Sequence, residues 1–131
     1  MNHLTIEKTK KTPSVSFHPQ KGIIEISGRS IPEDAFSFYE PLLNWIESYS
    51  QDTKNTKTEI VINLDYYNTS SSMYLLNILK ILDDLAGTGH SVVLKWYFDE
   101  EDKEGWVEVL EESLSPFLKH MKYEIVHRKT P

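Results

Sequence analysis

The sequence predicts an α/β domain built on a mixed β-sheet of about five strands covered by helices, and three observations lead there. Two β-branched runs, at residues 60–64 and 92–96, have the composition of buried central strands. Segments with apolar residues at helical spacing separate them. Near the amino end, two alternating segments flank a Pro-Gln-Lys-Gly turn, the pattern of an antiparallel hairpin. With 131 residues, 39% of them hydrophobic and 26% charged, the chain is long enough to bury one core, and it reads as a single domain over 1–131.

Residues 1–12 read as a loose leader. Ser14–His18 alternates polar with apolar residues and suits a half-buried strand; Ile23–Gly28 follows as its partner. Pro32, Glu33 and Asp34 open a helix, since proline is tolerated in a first turn and acids there suit the helix dipole. Phe38, Leu42, Trp45, Ile46 and Tyr49 form its apolar stripe, and Pro41 should kink or split it. Glu59–Leu64 reads as a strand covered on both faces. Met73–Leu85 reads as a second helix, closed by Ala86-Gly87-Thr88-Gly89. Val92–Trp96 is the next strand. A third helix carries Trp106, Val107, Val109, Leu110 and Leu114 and stops at Pro116; Met121–Val126 is the last strand. The resulting order, β-β-α-β-α-β-α-β, resembles the STAS-like domains of anti-sigma-factor antagonists.

Composition excludes several kinds of chemistry. There is no cysteine, hence no disulfide, thiolate metal site or Cys nucleophile. No apolar run reaches the 18 residues of a membrane helix, and the first residues lack a signal-peptide core, so a cytoplasmic protein with no membrane insertion is expected. The net charge is −6, and the short basic ends lack interleaved aromatics, which argues against a nucleic-acid footprint. Residues 99–112 hold eight acids and one base. Asp99, Glu100, Glu101, Asp102 and Glu104 lack the spacing of an EF-hand loop, so they read as a solvated face that docks on a basic partner. The five histidines are scattered, with no His-x-x-x-His pair beside a Glu, and Ser70 has no Gly-x-Ser-x-Gly elbow. No metal, cofactor or catalytic residue is expected.

The most informative stretch is Asn68-Thr69-Ser70-Ser71-Ser72, where a strand gives way to a helix. Backbone N–H groups and a positive dipole end favour an anion there, and a phosphate attached at this point would add nearly two negative charges. The same residues also suit a simple helix cap.

Four motifs resemble one family. They are Gly28-Arg29-Ser30-Ile31-Pro32-Glu33-Asp34-Ala35; Phe38-Tyr39-Glu40-Pro41-Leu42 with Trp45; Tyr67-Asn68-Thr69-Ser70-Ser71-Ser72; and Trp96-Tyr97-Phe98-Asp99-Glu100-Glu101-Asp102. In this order and spacing they look like the SiaC family of bacterial regulatory phosphoproteins, over residues 14–117. The resemblance implies a STAS-like fold and a regulator without catalytic activity. It implies phosphorylation of Thr69 by a partner kinase and reversal by a partner phosphatase. It further implies that the unmodified form engages a diguanylate cyclase or similar effector, influencing cyclic di-GMP signalling and biofilm behaviour. Asn68, Ser70, Ser71 and Ser72 are then expected to support the phosphosite, and Met73, Tyr74, Asn77, Asp99 and Glu100 to face the partner. Two positions depart from the family pattern: Met73 stands where a basic residue is usual, and Glu108-Val109-Leu110-Glu111 replaces Glu-x-Gly-Glu. The residues leave open a small metal-dependent enzyme using Asp99–Glu104, and a plain scaffold domain with Thr69 only a helix cap.

Overall fold

The computed structural model describes residues 1–99 and 111–128. Its elements are β1 (Leu4–Ile6), β2 (Ser14–His18), β3 (Ile23–Ser30), α1 (Ala35–Asp52), β4 (Lys57–Tyr67), α2 (Thr69–Ala86), β5 (Ser91–Asp99) and β6 (Lys122–Arg128). The six strands form one sheet in chain order. β1, β2 and β3 pair antiparallel, and β3 through β6 run parallel.

The strand count exceeds the expected five because Leu4–Ile6, inside the supposed loose leader, pairs with β2 as an edge strand. Leu4 and Ile6 are partly buried against the core. Three residues with two apolar positions are too short to carry a period that sequence reading can detect. The rest of that segment is tethered as well: Ile31 N donates to Lys11 O at 2.8 Å, and Lys11 Nζ lies 2.6 Å from Glu33 Oε1.

The sheet is also covered differently from the expectation. Parallel neighbours that advance one way along a sheet, joined by right-handed crossovers, place their helices on one face. Here Tyr39, Leu42, Ile46 and Tyr49 of α1 share a single core with Leu75, Ile78, Leu79 and Leu82 of α2 and with Ile60, Ile62 and Leu94 of the strands. Burial along β4 strictly alternates, with Thr58, Ile60, Ile62 and Leu64 buried and Glu59, Val61 and Asn63 only half-buried. The opposite face is polar, and Lys95 Nζ lies 3.0 Å from Glu59 Oε1 upon it. β4 is therefore not doubly covered by the described helices; Val61 among its outward positions made the run look apolar throughout.

Helix α1 runs unbroken through Pro41, which is exposed. The carbonyl left without a partner belongs to Ser37, also exposed, so water can take the missing bond. Pro32 and Glu33 precede the helix, and Asp34 is its N-cap, accepting from Ser37 N at 3.1 Å. The β2–β3 turn depends on Gly22, whose φ is +66° and whose missing Cβ would lie 2.5 Å from Lys57 O. Of the predicted third helix, residues 111–114 are helical and the chain turns at 115–117, as expected around Pro116; Trp106, Val107, Val109 and Leu110 lie outside the described residues.

At the end of the sheet where the parallel strands begin, Thr58 Oγ1 lies 2.7 Å from both Tyr49 OH and His90 Nε2. Asn55 Nδ2 donates to Tyr49 OH and to Pro19 O. Burial lowers the His90 pKa from its ordinary 6.5, opposed by a backbone hydrogen bond at Asn55. The unfolded chain therefore takes up this proton first as pH falls. Stability from this group is full above about pH 6.5 and declines below it. Thermal midpoints between pH 5 and 7.5 should fall on acidification, and His90→Gln should flatten that slope. An unchanged slope in His90→Gln would refute the assignment.

Candidate functional site

Asn68 stands between β4 and α2 with extended backbone (φ −89°, ψ 175°) and caps the helix. Its Oδ1 accepts from Ser71 N at 2.9 Å, and its carbonyl accepts from Ser72 N at 3.0 Å. Its own N–H donates to Ser30 O at 3.1 Å, tying the turn to the end of β3. Amides seek acceptors at a helix start, and an Asn side chain supplies one at the correct reach.

Beneath this turn lies a buried relay of hydroxyls. Ser71 Oγ donates to Ser30 O at 3.0 Å, and Ser30 Oγ donates to Ser71 Oγ at 2.7 Å. Tyr39 OH lies 2.5 Å from Ser30 Oγ and, with the Ser30 proton already committed, is the donor of that pair. All three residues are fully buried. Burial raises the Tyr39 pKa more than its bonds to Ser30 and Ser71 lower it, so the phenol stays neutral and keeps its proton to donate. The relay cross-links β3, α1 and α2 under the turn and satisfies polar groups that would otherwise be costly to bury.

The five residues of the motif thus divide by role. Asn68 caps, Ser71 is sequestered, and Ser72 Oγ donates back to Thr69 O at 2.7 Å. Thr69 and Ser70 are exposed, and among the described residues neither hydroxyl has a hydrogen-bond partner. Ser70 therefore does not help to fix the turn, contrary to expectation, because its side chain faces outward from the first turn. The reading of Thr69 as only a cap is also corrected, since Asn68 holds that position.

Thr69, Met73 and Asn77 recur every four residues and form one exposed stripe on α2. Met73 is 65% exposed, a large apolar surface for a helix residue facing solvent. Tyr74 is different: half-buried, it stacks on Tyr39 with centroids 5.3 Å apart, so one face of its ring belongs to the core. Phe36 and Tyr66 are exposed at the same end of the sheet. The backbone of Asp99 ends β5 at that end too; its side chain and Glu100 lie outside the described residues. A cleft of about 510 Å³ lies at the opposite end, lined by Pro19, Gln20 and residues 48–55 without 50 and 51. The Thr69 surface is thus a helix face with apolar outcrops, suited to a protein partner more than to a small ligand.

The sequence profile of the SiaC family regulatory phosphoproteins matches residues 6–127. The chain belongs to the SiaC family.

A sequence relative, an uncharacterised protein of Pseudomonas aeruginosa strain UCBPP-PA14, is 30% identical over 103 residues, 79% of this chain and 81% of that protein. The crystal structure of apo-SiaC from Pseudomonas aeruginosa superposes with a TM-score of 0.83 at 26% identity, covering 96% of this chain and 99% of that one. SiaC in the complex with the diguanylate cyclase SiaD, where it is described as the activator of that enzyme, superposes with a TM-score of 0.82 at 27% identity, covering 93% and 98%. No helix among the described residues is long and apolar enough to cross a membrane. Nor do the described residues group three or more His, Asp or Glu side chains that could hold a metal ion.

In this SiaC-family chain, sequence reading missed Ser30 and Tyr39 as parts of the site. Both stand inside the matching motifs Gly28–Ala35 and Phe38–Leu42, and a small hydroxyl residue and a phenol in otherwise apolar surroundings were the available signal. The geometry sets different costs for two neighbouring substitutions. Asn68→Ala removes a working cap and should cost about 1 kcal/mol of unfolding free energy, whereas Thr69→Ala should cost less than about 0.5 kcal/mol. Urea denaturation of both variants checks this. A larger loss from Thr69→Ala would mean that its hydroxyl carries structure.

Proposed function

We propose that this SiaC-family protein is a non-catalytic switch whose state is set by phosphorylation of Thr69. A partner kinase adds the phosphate and a partner phosphatase removes it. The unmodified form binds and activates a diguanylate cyclase of the SiaD kind, and so feeds cyclic di-GMP and biofilm signalling. The observation that carries this reading is the contrast within the motif: Thr69 presents an uncommitted hydroxyl to solvent while Ser71 beside it is fully buried and bonded. A kinase needs an accessible, free acceptor, and the stripe through Met73 and Asn77 supplies a surface that a partner can read. Asn68, Ser71 and Ser72 hold the turn in place. Asp99 and Glu100 complete the partner face at the end of β5.

Phosphosite mapping of the protein isolated from its native cell tests the reading. Phosphate on Thr69, present in one growth state and absent in another, supports it. Phosphate confined to other positions, or none in any state, overturns it.

A further inference from the structure

We propose that Arg29 receives the phosphate on Thr69, and that in doing so it leaves the ring of Tyr66 uncovered; this rests on Thr69 being the phosphoacceptor. The strands at this end are out of step. Gly28 pairs with Leu64 but Arg29 pairs with Tyr66, so Asp65 is passed over in a bulge. The displaced Asp65 carboxylate lies 3.3 Å from Arg128 Nη1 and not beside Arg29. Arg29 is exposed, and among the described residues its guanidinium forms no ion pair. Its contact among those residues is the face of Tyr66, with Cζ 6.0 Å from the ring centroid. Tyr66 is itself 53% exposed.

The residue after Arg29 is the one that anchors the phosphosite turn. Ser30 O accepts from Asn68 N at 3.1 Å, one residue before Thr69. Following the backbone across that bond, the Cα atoms of Arg29 and Thr69 are at most about 14 Å apart. An extended arginine and a phosphothreonine together span a gap of roughly that size. An exposed cation–π contact is weak, whereas a guanidinium meets phosphate with two parallel charge-assisted hydrogen bonds. Once a phosphate stands on Thr69, the competition favours the phosphate. The modification then changes two features of the same end of the sheet. It adds a clamped phosphate on α2, and it bares an aromatic ring on β4.

The test uses the full chain with phosphothreonine installed genetically at position 69, so that it does not depend on any kinase. The second phosphate pKa is read by phosphorus NMR in the wild-type background and in Arg29→Gln, with circular dichroism as the check on folding. A nearby guanidinium favours the dianion, so the pKa should be about half a unit lower in the wild-type background than in Arg29→Gln. The Tyr66 ring resonances should shift on phosphorylation in the wild-type background and stay still in Arg29→Gln. Equal pKa values in the two backgrounds, or Tyr66 shifts of the same size in both, overturn the proposal. Absence of phosphate on Thr69 in cells would instead overturn the parent reading, and the two failures are separate measurements.

Discussion

Asp83→Ala should lower the unfolding free energy by about 3–4 kcal/mol, the largest loss expected from any single polar substitution in the described fold. Asp83 is 4% exposed on α2. Its Oδ1 accepts from His120 N and Met121 N, both at 2.9 Å, and its Oδ2 accepts from Lys119 N at 3.1 Å. One carboxylate therefore fixes the three residues that lead into β6, and Met121 among them is buried. Alanine would leave the Met121 amide without a partner away from water and would free the edge strand to fray. Asp83→Asn retains an oxygen for two of the three bonds and should cost about half as much. Burial pushes the Asp83 pKa up, but the three amide bonds, helped by the nearby His120, outweigh it and leave the pKa below the ordinary 3.8. The sign follows: the unfolded chain binds this proton first, so the contribution is full above about pH 4 and is lost as pH falls toward the folded-state value. Urea denaturation at pH 7 and at pH 3.5 checks both points. A cost below about 1 kcal/mol at pH 7 would show that the strap is dispensable.

Phosphorylation at Thr69 should weaken binding to a SiaD-type diguanylate cyclase by about 30-fold or more, on the proposed switch. The hydroxyl lies at the head of the Thr69–Met73–Asn77 stripe, and a partner that packs on Met73 must cover it. A phosphate carries nearly two negative charges, and burying it against an apolar contact costs several kcal/mol unless the partner supplies cations. Thr69→Asp carries one charge and a shorter reach, so its effect should be smaller. Thr69→Ala should bind as the unmodified protein does, because the hydroxyl has no structural partner to lose. Calorimetry on the unmodified, phosphorylated, Thr69→Asp and Thr69→Ala proteins gives the comparison. Equal affinities across all four would sink the switch even with Thr69 phosphorylated.

Several features of this protein are written in short stretches of sequence. The parallel strands β4 and β5 follow from β-branched runs, and α2 from its apolar spacing. The cap at Asn68 and the stop at Gly87 follow from residues with known end preferences. Thr69 was legible because the motif around it is local and the match to a family is a property of sequence. Each of these depends on interactions within a few residues, so a window along the chain contains the cause.

What the tertiary structure decided depends on residues distant in the chain. Ser30 and Ser71 are 41 positions apart, yet their hydroxyls define which member of the Ser cluster is buried. That bond needs β3 beside β4 and α2 laid across both, and no local pattern encodes it. Asp83 looked like one more acid on a helix until the strand order brought Lys119, His120 and Met121 to it. Coverage of one face followed from the direction in which the parallel strands advance, a choice the alternation along β4 alone does not make. The sequence by itself determined the element types, the helix cap and the family. The packing of those elements decided which hydroxyl is exposed, which are bonded, and which arginine stands without an ion pair beside the turn among the described residues, because burial and charge pairing are set by neighbours that only the folded chain brings together.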